Sequence, residues 1–207
     1  MTSQASLCFS WDSHVATRPY AEVIGDPIVQ SKSPAIHGFW LAGLGIAADY
    51  RAAHVLTGEL ADYLAQRRTN ALWRGCNVTM PHKQAVMPLL NAIDPLAARI
   101  GAVNTIVRND DGSLTGFNTD APGFLEPLGD WRPRSAIVVG AGGAARAILL
   151  ALADSGVRHV SILNRNVARA QDLLAEFGLA GEAASLETVL PAADLLVNSS
   201  SLGMTGH

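Results

Sequence analysis

Cysteine is scarce in this chain. Cys8 and Cys76 are the only two in 207 residues, and they stand far apart. That argues against a disulfide framework and fits a reducing, cytoplasmic setting. Neither has neighbours at metal-ligand spacing, so no metal site is expected. Charge is sparse too: Asp, Glu, Lys and Arg make up 16% of the chain, with a net charge of −3. No run of Lys or Arg appears, which argues against partnership with nucleic acid or an anionic membrane surface. No apolar run is long enough to span a bilayer. Residues 1–19 lack a charged segment followed by an apolar block, so they read as a loose N-terminal extension and not as a secretory leader. Repeats and low-complexity tracts are also missing. What remains abundant is apolar, at 49% of residues and rich in Ala. A chain of this length and composition can bury one large core or two small ones.

Taken in order, the chain reads as an α/β protein. Tyr20–Gly25, Asp49–Val55 and Leu72–Val78 are apolar runs of strand length. Between them lie helical stretches over Ala35–Leu44, opened by Ser33 as cap and Pro34, and over Gly58–Arg68, with Leu60, Tyr63 and Leu64 on one face. Further helices are expected over Gln84–Leu90 and Pro95–Arg99. Val103–Arg108 and Leu114–Phe117 flank an Asp-Gly turn and predict a hairpin. A helix over Ala121–Leu128 follows, with Asn118 or Thr119 as its cap. The polar, helix-breaking stretch Gly129–Arg134 reads as a linker. It divides a first domain over 20–129, with a mixed sheet, from a second over 134–207. There, strands at Ala136–Val139, His159–Leu163 and Leu195–Val197 enclose helices over Ala144–Ser155 and Val167–Phe177.

The second domain carries a legible motif. Gly140-x-Gly142-x-x-Ala145 follows an apolar strand and opens a helix. That is the Rossmann-like dinucleotide fingerprint: one glycine for the turn, one for close approach of a pyrophosphate, and a small residue for helix–strand packing. After the next strand an NAD site carries a carboxylate for the ribose hydroxyl. Here Asn164 and Arg165 stand there, with Arg169 one turn on. Arg clamps a phosphate by paired hydrogen bonds, so the expected cofactor is NADP. Arg146 is a candidate second cation. The first domain supplies Ser31, Ser33, Asn77, Thr79, Lys83, Asn104 and Asp120 at strand ends and helix starts, where open α/β sheets bind ligands. Lys83 stands at a helix start, on the wrong side of the helix dipole, which invites a functional explanation. A Lys ammonium can protonate the alkoxide formed when a ketone accepts hydride, with Asp120 as its partner. Ser31, Ser33, Thr79 and Asn104 are candidate hooks for hydroxyls and a carboxylate. Asp120 also fits plain helix-cap chemistry.

Six motifs in order, Ser31-x-Ser33-Pro34, Asn77-Val78-Thr79-x-Pro81-x-Lys83, Gly101-Ala102-Val103-Asn104-Thr105, Gly116-x-Asn118-Thr119-Asp120, Gly140-x-Gly142-Gly143-Ala144 and Asn164-Arg165, resemble shikimate dehydrogenase from Ala21 to Met204. The resemblance implies NADP-dependent interconversion of 3-dehydroshikimate and shikimate, in aromatic amino-acid biosynthesis. It implies Lys83 and Asp120 as the catalytic pair. Substrate contacts fall on Ser31, Ser33, Thr79, Lys83, Asn104 and Asp120. The cofactor loop falls on Gly140, Ala141, Gly142, Gly143 and Ala144, with Asn164 and Arg165 at the 2′-phosphate. The protein is expected to be a cytoplasmic monomer or homodimer.

There are departures. Gln30 stands where the family often has His, Gly38 where it often has Asn, and Asn166 where it usually has Thr. Family chains also run on past the point matching His207, so this chain is expected to be truncated: it would lack final strands, a substrate-contacting Gln and closing helices, and be less stable. Three other readings stay open: a quinate/shikimate dehydrogenase of broader specificity, a truncated ligand-binding module without turnover, and a folate-type dehydrogenase, which the paired serines disfavour.

Overall fold

The computed structural model describes residues 16–189 and 192–203. Cys8, most of the N-terminal extension and Met204 lie outside the described residues. The chain forms two compact units. One takes residues up to Ala97 together with Val103–Phe117, and the other takes Ala98–Ala102 with the chain from Asn118 onward. Among the described residues no helix is long and apolar enough to cross a membrane.

The first unit is built on a six-stranded mixed sheet. In chain order it contains β1 (Tyr20–Gly25), α1 (Ser33–Gly43), β2 (Asp49–His54), α2 (Leu60–Thr69), β3 (Trp73–Val78), α3 (His82–Ala85), β4 (Ala92–Ile93), α4 (Pro95–Ile100, whose last residues join the second unit), β5 (Thr105–Arg108) and β6 (Leu114–Phe117). The strand order is β2-β1-β3-β5-β6-β4. β1 lies between β2 and β3, parallel to both, and β5 returns antiparallel to β3. The expected hairpin is β5–β6, paired from Thr105 with Phe117 to Arg108 with Leu114. Its turn needs Gly112 at φ +82°, and Asp111 Oδ1 accepts from Ser113 N at 2.8 Å.

The core of this unit lies between the sheet and α2. Leu60, Tyr63, Leu64 and Arg67 recur at helical spacing, and all four are buried. Arg67 is there because of Glu22, which is buried in the middle of β1. Glu22 accepts from Arg67 Nε at 2.8 Å, from Arg67 Nη2 at 3.0 Å and from Tyr63 Oη at 2.7 Å. A charge inside a sheet persists only when its lone pairs are used in this way. Cys76 is a buried thiol without a disulfide, and burial pushes its pKa up, which makes it unreactive. α1 buries none of its residues; Phe39 and Trp40 are exposed.

The second unit contains α5 (Asp120–Leu125), β7 (Ser135–Val139), α6 (Gly143–Asp154), β8 (His159–Leu163), α7 (Val167–Glu176), β9 (Gly181–Ala184) and β10 (Leu195–Asn198). Its four strands are all parallel, in the order β10-β7-β8-β9. The chain moves outward from β7 to β9 and then returns to the other side of β7. That reversal opens a crevice at the carboxyl ends of β7 and β10. Ala145, Leu149 and Leu152 of α6 and Ala170, Leu173 and Leu174 of α7 pack on Val138, Val160 and Ile162.

The division of the chain differs from the linker-based expectation. α5 packs against α6, and Phe124 sits on the second core. Ala98–Ala102 joins the same unit: Arg146 Nε donates to Ile100 O at 2.6 Å, and Asn118 Nδ2 to Ala102 O at 2.9 Å.

Candidate functional site

In the first unit, the strand ends set the positions. Thr79 follows β3 directly, and its backbone N donates to Ile24 O at 2.9 Å. Gly25 makes room for it, because a Cβ there would stand 2.5 Å from Thr79 Cγ2. α3 begins at once, so Lys83 is the second residue of a four-residue helix. Pro88 has no N–H and cannot continue it; the expected helix to Leu90 becomes a 3₁₀ turn, Met87–Leu89. A helix this short has little macrodipole, so the ammonium at its start meets no real penalty. The neighbouring His82 is fully buried and bonds Val55 O through Nε2 at 2.7 Å. On the other side, Lys83 O accepts from Val103 N at 2.8 Å. Lys83 is thus held between the end of β2 and the approach to β5, its side chain half-buried.

Asn104 is buried beside it, in front of β5. Its carbonyl accepts from Val78 N at 2.7 Å, and its N donates to Phe117 O at 3.0 Å. Its Oδ1 accepts from Thr105 Oγ1 at 2.9 Å. These backbone ties bring Thr79, Lys83 and Asn104 into one cluster. Ser31 and Ser33 lie on the turn after β1, and the N-cap position falls on Lys32, not on Ser33 as expected. Ser33 is the first helical residue, and its N donates to Ser31 Oγ at 3.3 Å. Ser31 Oγ thus takes the first helical N–H from outside the helix, and the Ser33 hydroxyl does not cap it. Asp120 belongs to the second unit, as the first residue of α5. Asn118 Oδ1 accepts the Asp120 N–H at 2.9 Å, so the local capping falls to Asn118.

A larger cavity, about 470 Å³, lies between α1 and β2. It is lined by Leu41, Ile46, Asp49, Tyr50 and their neighbours, and by none of the residues selected from the sequence. The Asp49 carboxyl is held below the usual range by Arg18 and then Arg51.

In the second unit, Gly140 turns the chain at φ +105° after β7. A Cβ on Gly140 would stand 2.8 Å from Ser199 Oγ, so the close approach of the segment after β10 requires glycine. Ser199 N and Oγ both donate to Val139 O at 2.8 Å, which closes the switch point. Gly142 has open space where its Cβ would be, immediately before α6. Gly143 and Ala144 begin the helix, Ala141 is buried in the turn, and Ala145 is fully buried against the sheet. Beside this turn is a cavity of about 200 Å³, lined by Val139, Gly140, Asn164, Arg165, Leu186, Ser200, Ser201 and Leu202. No carboxylate lines it. A glycine turn at a helix start, with an exposed guanidinium and amide next to it, suits a dinucleotide with a phosphorylated ribose.

Arg169 is exposed one turn into α7 and does not line the cavity. Asn166 is the α7 cap, its Oδ1 accepting from Arg169 N at 3.2 Å. Arg146 is not a phosphate ligand. It is buried, pairs through both terminal nitrogens with Glu176 and stacks its guanidinium over Phe177. Leu186 and Ser200 to Leu202 were not selected from the sequence as site residues. The polar run after the last strand, Asn198-Ser199-Ser200-Ser201, was the available signal.

The chain matches two family signatures: the shikimate dehydrogenase substrate binding domain over residues 23–106, and shikimate / quinate 5-dehydrogenase over residues 125–203. It is 58% identical over 197 residues to a shikimate dehydrogenase (NADP(+)) of Sphingopyxis alaskensis, covering 94% of this chain and 72% of that one. A crystal structure of shikimate 5-dehydrogenase from Thermus thermophilus, in complex with NADP(H) and shikimate, superimposes with a TM-score of 0.77 at 40% identity, over 88% of this chain and 69% of that one. A 5-ketofructose reductase of a Gluconobacter strain does so with a TM-score of 0.77 at 32% identity, over 90% and 70%.

Proposed function

Since the chain belongs to the shikimate dehydrogenase family, we propose a division of labour among its residues for the reaction that membership brings. That reaction is the interconversion of 3-dehydroshikimate and shikimate with NADPH and NADP, an oxidoreductase step of the shikimate pathway of aromatic amino-acid biosynthesis. The first unit serves the substrate and the second the cofactor. NADPH, when bound, supplies the hydride. Lys83 gives a proton to the oxygen of the reduced ketone and, in the reverse direction, takes it back. Its ammonium also stabilises the negative charge that develops on that oxygen. Asp120 holds the ammonium in orientation. Ser31, Ser33, Thr79 and Asn104 bind the hydroxyls and the carboxylate. The backbone of Gly140 to Ala144 takes the pyrophosphate at the start of α6, and Asn164 and Arg165 take the ribose phosphate, with Arg169 adding positive charge.

The observation that carries the cofactor assignment is the carboxylate-free cavity joining Gly140 to Asn164 and Arg165. Initial rates of NADPH formation from shikimate and NADP test the function, with quinate and NAD in parallel. Shikimate with NADP is expected to be the preferred pair; preference for quinate would support the broader-specificity reading. Asn164→Asp combined with Arg165→Ala removes a charge-assisted phosphate contact and adds repulsion. It is expected to shift the NADP-to-NAD ratio of kcat/KM towards NAD by about 100-fold. A ratio within about twofold of the parent would remove both residues from the cofactor site.

A further inference from the structure

Lysine is rare in this chain. It appears twice in 207 residues, against thirteen arginines, so positive charge elsewhere is left to guanidinium groups. One lysine is Lys83. The other is Lys32, set between Ser31 and Ser33 on the turn that enters α1. Both serines are half-buried, whereas Lys32 is exposed. Its carbonyl accepts the first bond of the helix, from Ile36 N at 3.1 Å, but its side chain caps nothing.

That is an unfavourable place for a cation. α1 has eleven residues, enough for a macrodipole, and its positive end is at Lys32. No acidic residue stands in the first turn to offset the charge. The nearest carboxylate along the chain, Asp26, is engaged by His54 Nε2 at 2.7 Å. Among the described residues Lys32 makes no ion pair. Two hydroxyls stand next to it. Ser31 Oγ accepts from Ser33 N at 3.3 Å and still has its own proton to donate, and the Ser33 hydroxyl takes no part in the cap. The helix end, the ammonium and the hydroxyl protons all favour one kind of ligand, an anion. A shikimate-type substrate presents hydroxyls and one carboxylate, and only the carboxylate is charged.

We propose that Lys32 is a specificity-determining residue: its ammonium, beside the hydroxyls of Ser31 and Ser33, selects the substrate by its carboxylate. This rests on the reading of that turn as a substrate contact. The attraction reaches into solvent, so salt weakens it, and any side chain of the same charge preserves it.

The test uses the whole chain and the variants Lys32→Gln, Lys32→Arg and Ser33→Ala, with dissociation constants for shikimate and for its uncharged methyl ester. At an ionic strength of about 0.01 M, Lys32→Gln is expected to weaken shikimate by about fivefold and leave the ester within about twofold. At about 1 M the loss for shikimate is expected to shrink to within about twofold. Lys32→Arg is expected to keep the parent's preference for the acid over the ester. Equal weakening of acid and ester, a loss that salt does not reduce, or unchanged shikimate affinity in Lys32→Gln would each overturn the inference. If Ser33→Ala weakens shikimate while Lys32→Gln does not, the inference alone falls. If neither variant weakens it, the reading of the turn as a substrate contact falls with it.

Discussion

Replacing Lys83 by Ala is expected to lower kcat by about 10²- to 10⁴-fold, the range a positioned acid/base group contributes. The prediction rests on how firmly the lysine is held. Buried His82 bonds Val55 O on one side, and Val103 N bonds Lys83 O on the other. Both ties involve backbone atoms or the neighbouring side chain, so they survive the substitution and isolate the loss of the ammonium. NADP affinity is expected to stay within about twofold, since the glycine turn and the Asn164–Arg165 cavity belong to the other unit. Steady-state rates with both ligands varied decide it. A rise in shikimate KM at nearly intact kcat would make Lys83 a substrate ligand and remove it from the proton-transfer step.

The largest expected effect on stability comes from Glu22. Glu22→Ala leaves the Arg67 guanidinium buried without its carboxylate, and Tyr63 without its acceptor. The two charged side chains are only 5% and 10% exposed. Breaking such a pair costs about 3–5 kcal/mol, mostly through the uncompensated charge. The double variant Glu22→Leu with Arg67→Leu removes both charges and is expected to recover most of that loss. Urea unfolding monitored by circular dichroism measures both, with unchanged m-values as the check that the transition is comparable. A cost below about 1 kcal/mol for Glu22→Ala would mean that water reaches Arg67.

The legible parts of the fold were those where one residue type does one job. The strand before Gly140 and the helix after it were readable because apolar runs, a glycine turn and a small Ala145 all point the same way. The hairpin was readable from Asp111-Gly112. β4 was missed because two residues, Ala92 and Ile93, carry no period, and their pairing with Thr115 and Gly116 is tertiary. β9 was missed because Gly-Glu-Ala-Ala has little strand propensity; the neighbouring β8 imposes its conformation. Among functional candidates, the backbone frame around Thr79, Lys83 and Asn104 followed from their places at strand ends. Arg146 misled because sequence proximity to the glycine loop says nothing about the face of α6 on which a side chain lies. It lies on the face carrying Leu149 and Leu150, towards Glu176 and Phe177.

The interleaving of the two units bears on how such enzymes can exchange parts by recombination. Ala98–Ala102 belongs with the second unit although its neighbours on both sides belong to the first, and α5 packs on α6 ahead of the polar stretch at Gly129–Arg134. A gene crossover at that stretch would join one parent's β7–α6 to the other parent's α5, and would set its Arg146 against a foreign Ile100 carbonyl. A crossover just after Phe117 carries α5 across with its own helix. The seam most visible in the sequence is therefore not the place where the chain passes from one unit to the other.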